Sequence, residues 1–182
     1  MVKLEDKITT TINSILYIIQ KLGGKGDFHK IFKLMYFADQ KHLTRYGSLI
    51  SDDQYIAMNN GPVPSMAYDI LKALRNEGLL AKLKNQVEPY FELISDYMVR
   101  AKVSPDLDEL SESELSCIDE AIKENKDLDF QELTRKSHDA AWERTSQDCE
   151  IKIDDIAEAG GANKDMIEYI NHVRENQNAG LG

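Results

Sequence analysis

Most of the structural information in this chain lies in residues 33–64, KLMYFADQKHLTRYGSLISDDQYIAMNNGPVP. The segment starts as an apolar helix that carries polar side chains and continues into a short strand and a proline-rich stretch. On a helical wheel of 100° per residue, Asp39 and His42 fall on the same broad face as Met35, whereas Lys33 points away. Burying an unpaired carboxylate or imidazole is costly, so we expect both groups to have polar partners inside the protein.

Two amphipathic helices are predicted in the first 50 residues. Isoleucine and leucine recur at helical spacing over residues 5–22, and Gly23 ends the pattern. The second helix is predicted over Phe28–Tyr46, because Asp27 is a favoured N-cap residue and Gly47 suits the left-handed position that ends a helix.

A strand and a rigid segment follow the second helix. Residues 54–58 form a short strand pattern, and the segment Gly61–Pro64 places two prolines around one valine. Proline fixes φ and pushes the preceding residue toward extended conformations, so we expect a stiff ledge. Gly61 has no side chain and allows another backbone or a ligand to approach closely.

A helix followed by a hairpin is predicted next. Ser65 is a candidate N-cap for a third helix ending near Gly78, and residues 87–94 and 98–103 alternate as two strands. The same order occurs in winged-helix DNA-binding domains, which gives one alternative function. The third helix carries only two cations, offset by two carboxylates, which is few for a helix that reads DNA.

Acidic helices occupy the rest of the chain. Ser111 with Glu114 is a capping box, and Asp129 with Glu132 is another helix start, with Phe130 and Leu133 facing inward and the helix continuing to Trp142. The absence of a Gly/Ser-rich linker favours one domain. The sequence therefore predicts an α+β fold, predominantly α-helical: a single domain of about six helices with a small antiparallel sheet or hairpin.

The charge is unevenly distributed along the chain. Residues 1–50 hold eight Lys/Arg against four Asp/Glu, a net of +4, whereas residues 105–182 hold eight against 21, a net of −13. Nucleic-acid binding depends on neutralising phosphates, so a chain of net charge −10 is a poor candidate for it. A basic protein partner fits this distribution better.

The composition also indicates where the protein works. No apolar run approaches the roughly 18 residues that span a bilayer, and the N-terminus lacks the pattern of a signal peptide. Cys117 and Cys149 are far apart and have no histidine at metal-ligand spacing. We expect a cytoplasmic protein with reduced thiols, without a membrane, metal or cofactor.

Two groups of residues suggest chemistry, and each has a structural interpretation as well. Asp39 and His42 are three residues apart on one helix face, as for a histidine oriented by a carboxylate, and His138 is the available further metal ligand. A metal-assisted hydrolase built on Asp39, His42 and His138 is therefore the enzyme alternative to a structural polar cluster. Ser137, His138 and Asp139 are adjacent on a predicted helix and point about 100° apart, so they cannot form a catalytic triad by themselves.

Taken together, three motifs resemble the Panacea domain of the SocA-like antitoxins. They are KLMYFAD (residues 33–39) with His42, the residues YIA (55–57) leading to GPVP (61–64), and Ser137-His138 with Trp142. In order and spacing the likeness covers about residues 8–145. The resemblance implies a mainly helical domain with a small sheet, and it divides the chain into a Panacea domain over residues 1–145 and a C-terminal helical extension over residues 146–182, packed on the same domain.

The resemblance implies a role in protein binding and no enzymatic activity. Members of the family are bacterial or phage-borne antitoxins that bind and neutralise a toxin encoded by the adjacent gene, and some present their toxin to a protease. The residues expected at the toxin interface, or as a structural signature, are Tyr36, Asp39, His42, Tyr55, Gly61, Pro62, Val63, Pro64, Ser137, His138 and Trp142. We expect the ledge, the Asp39–His42 pair and the Ser137–Trp142 segment to lie together, and the sequence leaves the oligomeric state open.

Overall fold

The computed structural model describes residues 4–179. In chain order its elements are α1 (Leu4–Lys21), β1 (Lys25–Asp27), α2 (Phe28–Tyr46), β2 (Tyr55–Met58), β3 (Gly61–Pro64), α3 (Ser65–Ala73), α4 (Lys84–Val87), β4 (Phe91–Ser95), β5 (Met98–Ala101), α5 (Glu112–Asn125), α6 (Phe130–Ser137), α7 (Ala140–Glu143), α8 (Ile153–Ala159) and α9 (Lys164–Ala179). The predicted class, α+β and predominantly α-helical, is confirmed.

Helix α2 is the centre of the fold, because α1, α3, α5, α6, α8 and strand β3 all pack against it. Its predicted ends are confirmed: the Asp27 carboxylate accepts a hydrogen bond from the Lys30 backbone at 2.8 Å, and Gly47 has φ of 76°. Since neighbours surround the helix, it has buried residues on faces that a helix packed on one side would leave to solvent.

Two small antiparallel sheets accompany the helices. In the first, β5 lies between β1 and β4, and β1 continues directly into α2. In the second, β2 pairs with β3, with Tyr55 opposite Pro64. The chain at Ile151 runs along the other edge of β2, where its backbone N–H donates to Tyr55 O at 2.8 Å. The segment expected to be a ledge is therefore a buried strand, and the bond before Pro62 is trans.

The start of α3 differs from the prediction. Ser65 is the first helical residue and makes no capping bond; the Asp53 carboxylate instead accepts from Met66 N at 2.9 Å and Ala67 N at 3.0 Å. The helix ends at Ala73, before the predicted Gly78, and the first strand of the following hairpin begins later than predicted, at Phe91.

Residues 4–179 contain nine α-helices, against about six predicted, because three of the nine are short. The capping boxes that open α5 and α6 are confirmed. The predicted continuation from α6 to Trp142 is wrong: the helix ends at Ser137, and α7 starts anew with Asp139 as its N-cap. Asp139 accepts hydrogen bonds from two backbone N–H groups of α7, which favours a new helix start over continuation.

One hydrophobic core runs through the described residues. Ile15 of α1, Leu34 of α2 and Ile118 of α5 are buried in it, and so are Ile156 of α8 and Ile170 of α9. The last two helices thus pack on the same core as the first five. Within residues 4–179, no helix combines the length and the apolar character that crossing a bilayer requires.

Candidate functional site

The hairpin β2–β3 is fastened to α2 by two buried polar contacts. The Asp39 carboxylate accepts a hydrogen bond from the Tyr55 hydroxyl at 2.6 Å and another from Ile50 N at 2.6 Å. The Lys33 ammonium donates to Pro62 O at 2.8 Å. Each strand of the hairpin therefore has its own anchor on α2.

Burial shifts the ionisation of both anchors toward the neutral form. It raises the pKa of Asp39 to about 7, against the opposing effect of the hydrogen bonds from Tyr55 and Ile50. It lowers the pKa of Lys33 to about 7. The prediction that Lys33 faces away from the core is wrong, since its side chain is 1% exposed. The hairpin covers the face of α2 that the helical wheel assigned to solvent.

The junction of α6 and α7 is the second contact region of α2. Asp139, besides capping α7, accepts hydrogen bonds from the Tyr36 hydroxyl at 2.9 Å and from Gln40 Nε2 at 2.7 Å. Burial and the nearby Asp139 carboxylate raise the pKa of Tyr36 far above its ordinary value. Sequence reasoning missed Asp139 as a connecting residue, although an aspartate before a short helical pattern is a cap signal.

Three of the residues predicted for the toxin interface, Ser137, His138 and Trp142, connect this junction to the hairpin. The rings of His138 and Trp142 stack with centroids 3.6 Å apart, and Trp142 Nε1 donates to Met58 O at 2.9 Å. Ser137 is buried, and a Cβ at Gly61 would collide with its Oγ. Burial lowers the pKa of His138, which favours the neutral form of its ring. The absence of a side chain at Gly61 thus permits the close approach of β3 to α6.

His42 lies apart from this cluster. Its Nδ1 is 2.7 Å from Ser48 O and its Nε2 is 3.3 Å from Ser113 Oγ, so it joins α2 to the following loop and to α5. Asp39 and His42 have separate partners. No three His, Cys, Asp or Glu side chains between residues 4 and 179 are placed to hold a metal ion, so the Asp39–His42–His138 ligand set of the hydrolase alternative is not formed.

Nine of the eleven predicted binding residues are buried, and only His138 and Trp142 are partly exposed. Most of them hold the hairpin, α2 and α6–α7 together, whereas His42 joins α2 to the loop before the hairpin and to α5. We call these residues, with Lys33 and Asp139, the hairpin framework. Because most of these side chains are buried, a partner protein would contact the surface that they position and not the side chains themselves.

One such surface is a groove of about 620 Å³ beside the hairpin. Five aromatic side chains line it and define what we call the aromatic groove: Phe28, Phe32, Tyr68, Tyr97 and Phe130. Phe130, predicted to face inward, is 51% exposed, because it stacks on His29 at the rim of the groove with centroids 3.9 Å apart. Tyr97 at the turn between β4 and β5 is 61% exposed.

The charged side chains of the aromatic groove are unequal in exposure. Asp148 is exposed and Asp27 is partly so, whereas the Lys33 side chain is buried. Burial, with a smaller contribution from Lys33, lowers the pKa of His29 to about 4, so this ring is neutral at pH 7. The described lining therefore presents carboxylates but no solvent-accessible cation.

Comparison with known proteins supports the motifs noted in the sequence. The family model described as "Antitoxin SocA-like, Panacea domain" matches residues 31–143, which include most of α2, the hairpin and α6–α7. No curated protein and no solved structure matches the chain. The family match covers more than half of the 182 residues. The chain therefore belongs to the SocA-like antitoxin family and contains its Panacea domain.

Proposed function

We propose that this protein is the antitoxin of a bacterial or phage toxin–antitoxin system, that it neutralises a cognate toxin by direct protein–protein binding in the cytoplasm, and that it catalyses no reaction. The observation that carries the proposal is the family match over residues 31–143. Antitoxins of this family imply a toxin as partner; the adjacent gene is where we expect the toxin to be encoded.

The polar groups of the hairpin framework support a binding role. Asp39, His42 and Asp139 each make hydrogen bonds that join secondary-structure elements. A catalytic group needs a free lone pair or proton directed at a substrate. Groups that are already hydrogen-bonded to their own chain instead stabilise the fold that carries the recognition surface.

Co-expression with the neighbouring reading frame tests the proposal. The neighbour alone should arrest growth, and this protein should restore growth and copurify with it. A neighbour that is harmless alone, or that stays toxic and unbound when this protein is present, would overturn the proposal. The copurification readout is essential, because growth could also be restored without contact between the two proteins.

Direct inhibition and presentation to a protease are two routes to neutralisation, and the amount of toxin separates them. We propose direct inhibition, which leaves full-length toxin at an unchanged level in a stable complex. A proteolytic adaptor would lower the level of the toxin and would lose its protective effect in a host that lacks the protease. Immunoblots of the toxin in both hosts distinguish the outcomes.

The winged-helix alternative has less support. Helix α3 packs against α1, and its cations are engaged: Lys72 pairs with Asp69 at 2.9 Å, and Arg75 beyond the helix pairs with Glu77 at 3.1 Å. Phosphate contacts require available cations. A DNA-binding assay at low salt, where any electrostatic contact is strongest, should show no complex.

A further inference from the structure

The aromatic groove has the composition of a protein-binding surface. Aromatic side chains bury a large area at a small cost in conformational entropy and dominate the energetics of many interfaces. Here they are held in place by one another: Phe28 meets Tyr97 edge-on at 6.1 Å, and Phe32 meets Tyr68 at 5.6 Å. Because these side chains are already packed against one another, binding of a partner orders fewer side chains and costs less conformational entropy.

The exposed rim favours a protein over a small molecule. Tyr97 and Phe130 both line the groove and remain 61% and 51% exposed. Small-molecule sites typically enclose most of their ligand. A protein segment that enters the groove and continues over the adjoining surface would cover these two rings, which are large apolar groups otherwise left in water.

Charge selects the chemistry of that segment. Asp148 and Asp27 are the acidic side chains at the surface of the lining, and exposed cations are absent from the groove residues that the structure describes. Beyond the groove, the C-terminal part of the chain adds a large excess of carboxylates. An anionic segment would be repelled, and a cationic one attracted.

We infer that the aromatic groove docks a segment of the toxin in which apolar side chains are flanked by lysine or arginine. The apolar side chains lie between Tyr97 and Phe130, and the cations lie against Asp148. This inference rests on the proposed function and adds to it the surface and the chemistry of the contact. The hairpin framework then has a defined role, because it positions the Asn59–Asn60 turn that forms part of the groove wall.

The test compares the affinity of groove variants for the toxin encoded by the adjacent gene. Tyr97→Ala and Phe130→Ala should each weaken binding roughly tenfold or more, as truncation of an aromatic anchor does. Tyr169→Ala is the matched control, since Tyr169 is 54% exposed on α9 and does not line the groove. Asp148→Asn should weaken binding less and should reduce its dependence on salt.

Calorimetric titration gives the dissociation constants, and thermal melting checks that each variant is folded. If the wild-type protein does not bind the toxin, the proposed function fails. If the wild type binds and Tyr97→Ala and Phe130→Ala bind equally well, the docking inference fails while the function stands. A wild-type dimer that both variants dissociate, with toxin affinity unchanged, would assign the groove to a second copy of this chain and would also overturn the inference.

Discussion

Gly61 combines two constraints that exclude any side chain. Its φ is +96°, a conformation that L-residues rarely adopt, and a Cβ built at this position would collide with Ser137 Oγ. Gly61 therefore determines both the backbone conformation at the start of β3 and the distance between β3 and α6. This explains in physical terms how the GPVP segment and Ser137 depend on each other in this protein.

Gly61→Ala should lower the free energy of unfolding by roughly 2–5 kcal/mol, from the strained φ together with the collision. Gly161→Ala is the matched control, because Gly161 has the same φ of +96° but no described atom within 4 Å of the place where a Cβ would stand. That variant should lose only about 1 kcal/mol. Urea unfolding followed by Trp142 fluorescence measures both, and equal losses would show that Ser137 moves aside at no cost.

At this scale, sequence reasoning succeeded where one residue determines its own surroundings. Asp27 and Gly47 were identified correctly because a cap or a left-handed turn depends on adjacent backbone. Lys33 was misplaced because its burial depends on the hairpin, which begins 22 residues later in the chain. A helical wheel contains no information about a second layer on the opposite face.

Helix α2 carries two buried groups whose effects on stability have opposite pH dependence. In the unfolded chain Asp39 ionises near its ordinary pKa of 3.8, whereas in the folded protein its pKa is about 7. The folded state therefore binds the extra proton between these values, and stability falls as pH rises. Lys33 has an ordinary pKa of 10.5 and a folded pKa of about 7, so the unfolded state binds the extra proton above pH 7 and stability rises with pH.

The combined contribution of Asp39 and Lys33 should thus be smallest near pH 7. Because His29 and other groups also titrate, the measurement is a difference between proteins. The stability of the wild type relative to Asp39→Asn should fall from pH 4 to pH 7, and relative to Lys33→Met it should rise from pH 7 to pH 10, each by at least about 1 kcal/mol. Urea unfolding across this range gives both curves, and a flat Lys33 curve would mean that the folded protein keeps this ammonium charged.

Long elements with strong caps were predictable, and short ones were not. The starts of α5 and α6 follow from capping boxes that are complete within four residues. Strand β1 is three residues long and exists because it pairs with β5, more than 70 residues away, so the local sequence after Gly23 does not predict it. The aromatic groove likewise contains side chains of α2, α3, α6 and the β4–β5 turn. No local sequence pattern predicts that these side chains lie together.

Across the whole molecule, ion pairs within the chain neutralise part of the positive charge of residues 1–50. Arg45 of α2 forms a two-bond pair with Glu120 of α5 at 2.7 Å, and Lys41 pairs with Glu124 at 2.7 Å. The cations of the first 50 residues thus neutralise only a few of the 21 carboxylates beyond residue 104. The protein therefore presents to a partner a surface that is more acidic than its N-terminal sequence suggests.

This charge distribution should control how fast the toxin binds. Attraction between exposed opposite charges accelerates encounter and is screened by salt, whereas dissociation depends on contacts already formed. We expect the association rate constant to fall roughly tenfold or more between low and high salt, with a much smaller change in the dissociation rate constant.

Glu112→Gln with Glu168→Gln removes two exposed carboxylates and should slow association at low salt. The control is Glu92→Gln with Arg100→Gln, which removes an exposed ion pair of β4 and β5 and leaves the net charge unchanged. Stopped-flow measurements of both double variants distinguish the effect of net charge from that of any local contact, and an association rate that ignores salt would mean that the acidic surface plays no part in toxin capture.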